Sequence, residues 1–537
     1  MSKINFLGAL SVLSKSSPFS VKTLTQREPD EYDEYKEWLY IEQDIERDFV
    51  ARLKEAGPNS VLFLCGSSGD GKSEILTRAA RRFGNSIRFH LDATHSFQPH
   101  QSAIEALDQL FSQASTEEIP LAVGINIGLL GNYVQEGADE HADIKLAMQR
   151  FLDGTKDNGR FAFFDFESYP KFRFTKEGEA FADFALEIMR RLTQPTNDNP
   201  FFRSAVAWRA TGGNPKLLAN YQLLSMDGVQ RHIVKNLVKV RLLKDQFMTS
   251  RTLLDFLFHL LTGPGYLFEN LFSASGNELS ERIAEFDPSL LRTKALDQFV
   301  LQYELGLIEE ECHAFVASLE HLDIRFDTSS GAHAEALIQL FYVAQECDLG
   351  NNFHKKFSAE FSDEALRQYA RLWHLHREFD GSAEMRTEIR KNYQNLVVAG
   401  IVRYANRNAP ELPKGTILLG EFNGVKVGAE VDMVPDYTRL SSSAGKNSLS
   451  KFDVSIRIGE KDLQTFPVNL SLLQLLQRLN EGYRPNKYDK NAIVLLEAVV
   501  ERLGDIAKTS PRLTLARNGK RTTVRHLDEQ IEISGEV

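Results

Sequence analysis

The sequence predicts an α/β fold: a parallel sheet covered by helices on both faces, followed by a mostly helical region and a smaller α+β region. Three observations predict it. Between residues 58 and 175, short apolar runs alternate with segments of helical periodicity, the pattern of strand–helix–strand units. From 176 to 400, apolar residues recur mainly at helical spacing. After 401, period-two alternation around Gly and Asn turns indicates antiparallel strands mixed with helices.

Taken in order, residues 1–57 form a helical lead-in. Ser16-Ser17-Pro18 breaks a first helix, Glu28 to Glu34 is acidic and turn-like, and Trp38 to Leu53 carries Leu39, Ile41, Ile45, Phe49 and Leu53 on one stripe before Gly57-Pro58 ends it. In the α/β region, Val61–Cys65, Ile87–Asp92, Leu121–Asn126 and Phe161–Phe166 read as strands. The third is almost wholly small or apolar, as a central parallel strand is. Helices are expected over 74–83, 101–111 and 143–152. Further helices follow over 180–192, on either side of Gly212-Gly213-Asn214-Pro215 within 201–226, and over 252–261, 334–347 and 363–379. In the last region, strands are expected over 416–420, 425–431 and 452–458, helices over 470–481 and 490–507, and a mobile loop at Ser441–Gly445. A terminal hairpin turns at Asn518-Gly519, because Asn and Gly both tolerate the positive φ of a two-residue turn.

The chemistry concentrates in Gly66-Ser67-Ser68-Gly69-Asp70-Gly71-Lys72-Ser73, which satisfies G-x-x-x-x-G-K-[S/T] at every fixed position. An apolar run precedes it and a helical segment follows, the context of a phosphate loop in a P-loop NTPase sheet. Backbone N–H groups of such a loop face phosphate oxygens, and the helix N-terminus adds its positive end. Lys72 would reach the β- and γ-phosphates and Ser73 would ligate Mg²⁺. The expected nucleotide-binding set is Gly66, Ser67, Ser68, Gly69, Asp70, Gly71, Lys72, Ser73 and Glu74, with ATP and Mg²⁺ as the ligands.

Hydrolysis needs a second carboxylate on the metal and a group that orients water. No apolar strand here ends in Asp-Glu. Asp92, Asn126 and Asp165 each end an expected strand, on the edge that open α/β sheets use for ligands. Asp92 is the candidate metal acid and Asn126 the candidate water-orienting residue; each could equally be a cap or turn residue. Glu74 would favour a helix N-terminus in any case. Arginines from a neighbouring subunit or a helical lid could complete the site by stabilising charge on the transferring phosphoryl group: Arg203 and Arg209 lie where a lid would follow the sheet and Arg251 begins the next helix, with ordinary surface arginines as the default reading. His90 and His95 flank Asp92 without a third ligand at metal spacing, so turn histidines are the simpler reading.

Bulk properties narrow the class. Hydrophobic residues make up 42% and charged residues 26%, ordinary for a globular protein of several domains. No run approaches the ~20 apolar residues of a membrane span, and Met1–Leu13 does not read as a signal peptide. Cys65, Cys312 and Cys347 are widely spaced and form neither a metal motif nor a disulfide framework, so a reducing cytoplasm is expected. The net charge of -11 argues against a general nucleic-acid coat. Tyr483 to Arg525 nevertheless carries ten Lys/Arg against four Asp/Glu, densest at Lys508, Arg512, Arg517, Lys520, Arg521 and Arg525. This segment is a candidate surface for an acidic partner or for DNA.

Ser14-Lys15-Ser16-Ser17-Pro18, Cys65 through Ser73, Leu91-Asp92-Ala93-Thr94-His95-Ser96-Phe97 and Gly124-Ile125-Asn126-Ile127-Gly128-Leu129-Leu130 together resemble the F subunit of the DNA phosphorothioation-dependent restriction system, the Dpt or Dnd F proteins. The resemblance spans most of the chain. It implies an ATP-binding subunit of a bacterial anti-phage defence complex that acts on unmodified DNA with G- and H-type subunits, and a possible homo-oligomer. It carries Gly66, Gly71, Lys72 and Ser73 over as nucleotide ligands and leaves the acid and the water-orienting group open. The alternatives are an ATP-binding scaffold with negligible turnover and a small-molecule phosphotransferase. The latter fits less well, because most of the chain follows the loop.

Overall fold

The structure, a computed structural model, describes residues 4–16, 30–93, 100–155, 159–326, 333–443, 448–527 and 530–535. The chain forms two compact units interleaved in sequence: Met1–Lys171, Ala182–Leu237 and Gln246–Phe361 in the first, Phe172–Phe181, Val238–Asp245 and Ser362–Val537 in the second. The sequence places boundaries near 57, 175 and 400; the chain passes between the two units at 172, 182, 238, 246 and 362.

The first unit opens with helices α1 (Phe6–Leu10), α2 (Asp33–Leu39) and α3 (Asp44–Lys54). The stripe expected over 38–53 is thus two helices. Tyr40 leaves helical φ/ψ between them; its hydroxyl donates to Glu46, and its ring lies 3.3 Å beneath the Arg78 guanidinium. The acidic stretch read as a turn instead supplies Asp33 and Glu34 to the first turn of α2, where carboxylates favour the helix dipole.

A parallel sheet follows: β1 (Val61–Cys65), β2 (Arg88–His90), β3 (Leu121–Ile125) and β4 (Phe161–Asp165), in spatial order β2-β3-β1-β4. Cys65 pairs in register with Ile125 on one side and Asp165 on the other. Between the strands run α4 (Lys72–Phe83), α5 (Ala103–Glu117), α6 (Ile127–Glu136) and α7 (Ala142–Leu152). Alternation sorts the strand side chains into two cores. Phe63, Val123 and Ile125 pack with Leu107, Phe111, Tyr133 and Met148 of α5–α7. Leu62, Leu64 and Ala122 pack with Ile45 and Phe49 of α3 and Ile75, Leu76 and Ala79 of α4. Helices therefore cover both faces, as the apolar runs require.

Helix α6 is an element the periodicity does not announce. Gly128 and Gly131 weaken its local propensity, and it forms because Asn126 caps it and Leu130 and Tyr133 bury against the sheet. Tyr133 also donates to Asp108 Oδ1 at 2.6 Å.

The rest of the first unit is helical: α8 (Asp183–Thr193), α9 (Pro200–Ala210), α10 (Pro215–Leu224), the part of α11 (Asp227–Lys244) up to Leu237, α12 (Ser250–Thr262), α13 (Leu267–Asn270), α14 (Glu278–Ala284), α15 (Lys294–Glu304), α16 (Glu310–Ser318) and α17 (His333–Val343). Helix α8 starts three residues later than expected, because Ala180 and Phe181 belong to a strand. The Gly263-Pro264-Gly265 exit of α12 is fastened by buried Asn220, which donates to Leu261 O and Gly265 O and accepts from Leu267 N–H at 2.7 Å.

In the second unit, β5 (Arg173–Phe174) and β6 (Ala180–Phe181) form a short hairpin, and Phe174 packs edge-on to Tyr369 and Trp373 of α18 (Glu364–Arg377). A helical run continues through α19 (Ala383–Asn392), a π-helical stretch at Tyr393–Val398, and α20 (Ala399–Ala405). Strands β7 (Thr416–Phe422) and β8 (Val425–Glu430), then β9 (Met433–Pro435), precede α21 (Tyr437–Ser443). The loop expected from Ser441 is therefore helical through Ser443; Ser441 and Ser442 turn their hydroxyls back to the carbonyls of Tyr437 and Arg439. Ala444 and Gly445 lie outside the described residues, as does His95. Strands β10 (Phe452–Ile458) and β11 (Lys461–Val468), helices α22 (Leu470–Asn480) and α23 (Lys490–Ala507), and strands β12 (Arg512–Arg517), β13 (Lys520–Leu527) and β14 (Gln530–Gly535) complete it. The sheets are ordered β11-β10-β9 and β14-β13-β12-β8-β7. The Asn518-Gly519 hairpin forms as expected; β14 extends it beyond the expected end.

The basic segment is spread over α23 and this hairpin. Lys508 pairs with Asp505 at 2.8 Å and Arg512 with Glu430 at 3.2 Å, while Arg517, Lys520 and Arg521 are exposed around the turn. All three cysteines are free and buried. Among the described residues, no helix is long and apolar enough to cross a membrane.

Candidate phosphate-binding site

Strand order locates the site before any side chain is considered. From β1 the chain leaves through α4 on one face of the sheet; from β3, directly beside β1, it leaves through α6 and α7 on the other. Adjacent strands whose connections diverge to opposite faces open a crevice at their carboxyl ends, where open α/β sheets bind ligands. Here the crevice is bordered by Gly66–Ser73 after β1 and by Asn126 after β3.

The loop has the backbone its sequence demands. Gly69 (φ +88°) and Gly71 (φ +105°) lie in the left-handed region, and Gly71 is the N-cap of α4. Gly66 N–H donates to Ile125 O at 3.2 Å, joining the loop to the end of β3. Ser67 N–H donates to Asp70 Oδ2 at 2.7 Å, so Asp70 closes a turn inside the loop. Among the described residues, the N–H groups of Ser68, Gly69, Gly71, Lys72 and Ser73 meet no protein acceptor, and neither does the Ser73 hydroxyl. A run of unmatched donors leading into the first turn of a twelve-residue helix is the chemistry of an anion cradle.

Lys72 spans the loop, its Nζ donating to Gly66 O at 2.9 Å and Ser67 O at 2.8 Å. Burial holds its ammonium below the ordinary range, against the opposing pull of Asp70, Asp92 and Cys65. Asp92 therefore lies within electrostatic reach of Lys72. Its position depends on Gly124, where a Cβ would come within 2.6 Å of Leu91 O and 2.8 Å of Leu76 Cδ1. Only a glycine lets the chain after β2 run this close to β3, and Ala93 N–H then donates to Gly124 O at 2.8 Å.

The remaining candidates divide. Asn126 is half-buried and caps α6, its Oδ1 accepting from Leu129 N–H at 2.7 Å. Asp165, beside Cys65 in register, accepts from Glu167 N–H at 3.1 Å. Burial raises its carboxyl, outweighing that hydrogen bond, and Glu167 and Asp70 add to the rise. Burial also pushes the Cys65 thiol up. Glu74 is held by Arg78 at 2.8 Å, and Arg78 also pairs with Glu37, so this carboxylate serves the face of α4. His90 joins no cluster: among the described residues, no group of three His, Cys, Asp or Glu is placed to hold a metal ion. A metal ion here would depend on Ser73, one carboxylate and the phosphates themselves, which is how Mg²⁺ is commonly held.

Two contributions escape the motif. Lys171, six residues past β4, pairs with Asp70 Oδ1 at 2.7 Å and donates to Met248 O at 2.8 Å. The segment Thr249–Arg251 lies against Gly69, with Arg251 N–H donating to Gly69 O at 3.2 Å. Neither has a local signature, because both depend on chain crossings about 80 to 180 residues away in sequence. Compared with family models, with curated proteins and with solved structures, the chain matches none of them.

Proposed function

We propose that the first unit is a P-loop nucleotide-binding domain that takes ATP with Mg²⁺ at Gly66–Ser73, and that the chain is the ATPase subunit of a bacterial DNA phosphorothioation-dependent restriction complex. The observation carrying the nucleotide reading is the run of unmatched N–H donors at Ser68, Gly69 and Gly71–Ser73, placed at the crevice between β1 and β3. The assignment to a restriction complex rests on the sequence resemblance alone.

In this reading the loop amides and Lys72 bind the β- and γ-phosphates, and Ser73 with Asp92 would hold the metal. When bound, Mg²⁺ supplies charge neutralisation on the β- and γ-oxygens. In turnover, water adds to the γ-phosphorus, the bond to the bridging β–γ oxygen breaks with its electron pair going to ADP, and the water's proton leaves with phosphate. With its Oδ1 engaged by α6, Asn126 offers Nδ2 to orient that water. The exposed cations of the β12–β13 hairpin are the surface for DNA or a partner subunit.

Equilibrium binding of a fluorescent ATP analogue with Mg²⁺ tests the reading. Lys72→Ala is expected to weaken binding at least tenfold; unchanged affinity overturns it. A scaffold with negligible turnover is the second reading, favoured by the amide where a hydrolytic strand would carry a carboxylate. Steady-state phosphate release, with and without DNA and partner subunits, separates the two.

A further inference from the structure

We propose that Arg251 contacts the terminal phosphate of the bound triphosphate, supplied in cis by the first turn of α12. This rests on the nucleotide-binding reading and adds a residue that belongs to no motif. Three features of the first unit carry it.

The first is proximity fixed by backbone. Arg251 N–H donates to Gly69 O at 3.2 Å, and a Cβ on Gly69 would lie 3.0 Å from Arg251 Cβ and 3.1 Å from Thr249 Oγ1. Ser250 Oγ adds a long contact to Asp70 O at 3.4 Å. The second is a fastening that sets the register of this approach. Lys171 bridges Asp70 Oδ1 and Met248 O, so the residues leading into α12 are tied to the loop through a nearly buried ion pair. The Thr249 capping box fixes the start of the helix itself.

The third is the state of the guanidinium. Arg203 pairs with Glu34, and Arg209 with Asp323 at 2.9 Å. Arg251 is exposed and pairs with no carboxylate among the described residues. Of Arg203, Arg209 and Arg251, the last alone combines an unengaged guanidinium with a backbone bond to the phosphate loop. A planar guanidinium with five donors matches phosphate oxygens bidentately, and at the rim of the loop it favours the extra charge of a triphosphate over a diphosphate. The residue thereby couples α12 to the chemical state of the nucleotide.

The test compares Arg251→Met, which keeps the backbone bond and the aliphatic stem, with Arg251→Lys and Lys72→Ala. Affinities for fluorescent ATP and ADP analogues are measured with Mg²⁺, and folding is followed by circular dichroism. Arg251→Met is expected to weaken the ATP analogue about tenfold while the ADP analogue stays within about twofold, with Arg251→Lys recovering part of the loss. Equal losses for both nucleotides, or none for either, overturn the proposal. If Arg251→Met does not fold, Arg251→Lys decides alone: a lowered ATP-to-ADP preference supports the contact and an unchanged preference overturns it. Full binding by Lys72→Ala would instead remove the nucleotide-site reading itself, and this proposal with it. Loss in Lys72→Ala with unaltered nucleotide preference in Arg251→Met removes only the role of Arg251.

Discussion

Lys171 Nζ stands 2.7 Å from Asp70 Oδ1, joining the segment after β4 to the centre of the Gly66–Ser73 loop. The pair is nearly buried: Asp70 is 6% exposed, and its other oxygen accepts from Ser67 N–H. In the motif Asp70 is a variable position, yet here it sets the loop's shape.

Removing one member of such a pair strands the other in a dry site. Asp70→Ala is expected to destabilise the first unit by about 3–5 kcal/mol, and Asp70→Ala with Lys171→Met by clearly less. Urea unfolding of the single and double variants checks this. A double variant no more stable than Asp70→Ala would show that the ion pair is not the source of the loss.

Gly124→Ala introduces a Cβ 2.6 Å from a backbone oxygen, and the chain after β2 must yield. A cost of about 1–3 kcal/mol is expected. Because the displaced segment carries Asp92, ATP-analogue affinity measured with Mg²⁺ should fall more than affinity measured with EDTA. Equal effects in the two conditions would exclude Asp92 from the metal site.

Asp165 has its carboxyl raised by burial, so ionising it costs more in the folded chain than in the unfolded one. Its favourable contribution is fully present below the unfolded carboxylate pKa and is lost as pH rises through the folded value. Asp165→Asn keeps an acceptor for Glu167 N–H and removes the ionisation. Its melting temperature should exceed that of the parent at pH 7, with the gain shrinking toward pH 3.

In the second unit, His376 is buried on α18, donating from Nδ1 to Leu372 O at 2.6 Å and accepting at Nε2 from Tyr393 Oη at 3.0 Å. Burial lowers its pKa from 6.5 to about 4. The neutral ring's contribution is present above pH 6.5 and is lost as pH falls toward 4, a loss of roughly 3 kcal/mol over that window. Urea unfolding at pH 7.5 and 4.5 should show a markedly smaller drop for His376→Gln than for the parent.

What was legible in the sequence follows from the range of the forces involved. β1, α4, α12 and the Asn518-Gly519 hairpin are written in local pattern, because strand burial, helical stripe and turn chemistry act within a dozen residues. Helix α6 was not legible: its glycines argue against it, and burial of Tyr133 against the sheet decides for it. Tyr40 likewise breaks what reads as one helix through contacts with Glu46 and Arg78. The glycine loop Gly66–Ser73, running from β1 into α4 with Gly69 and Gly71 at positive φ, could be read directly. Lys171 and the approach of Arg251 could not, because tertiary contacts alone bring them to the loop. Asn126 reads two ways, as a cap or as a water-orienting group, and its capping bond leaves the second use open to its Nδ2.

The hairpin of Arg173–Phe181 also has a temporal meaning. Phe174 leaves the ribosome about two hundred residues before Tyr369 and Trp373, against which it packs, a delay of roughly 10–40 s at ordinary elongation rates. Until then it is a sticky segment waiting for its partner. Over that interval its ring lacks the aromatic partners it has in the finished second unit, an exposure of the kind a nascent-chain chaperone recognises. A fragment beginning at Ser362 would lack that hairpin and expose the aromatic face of α18.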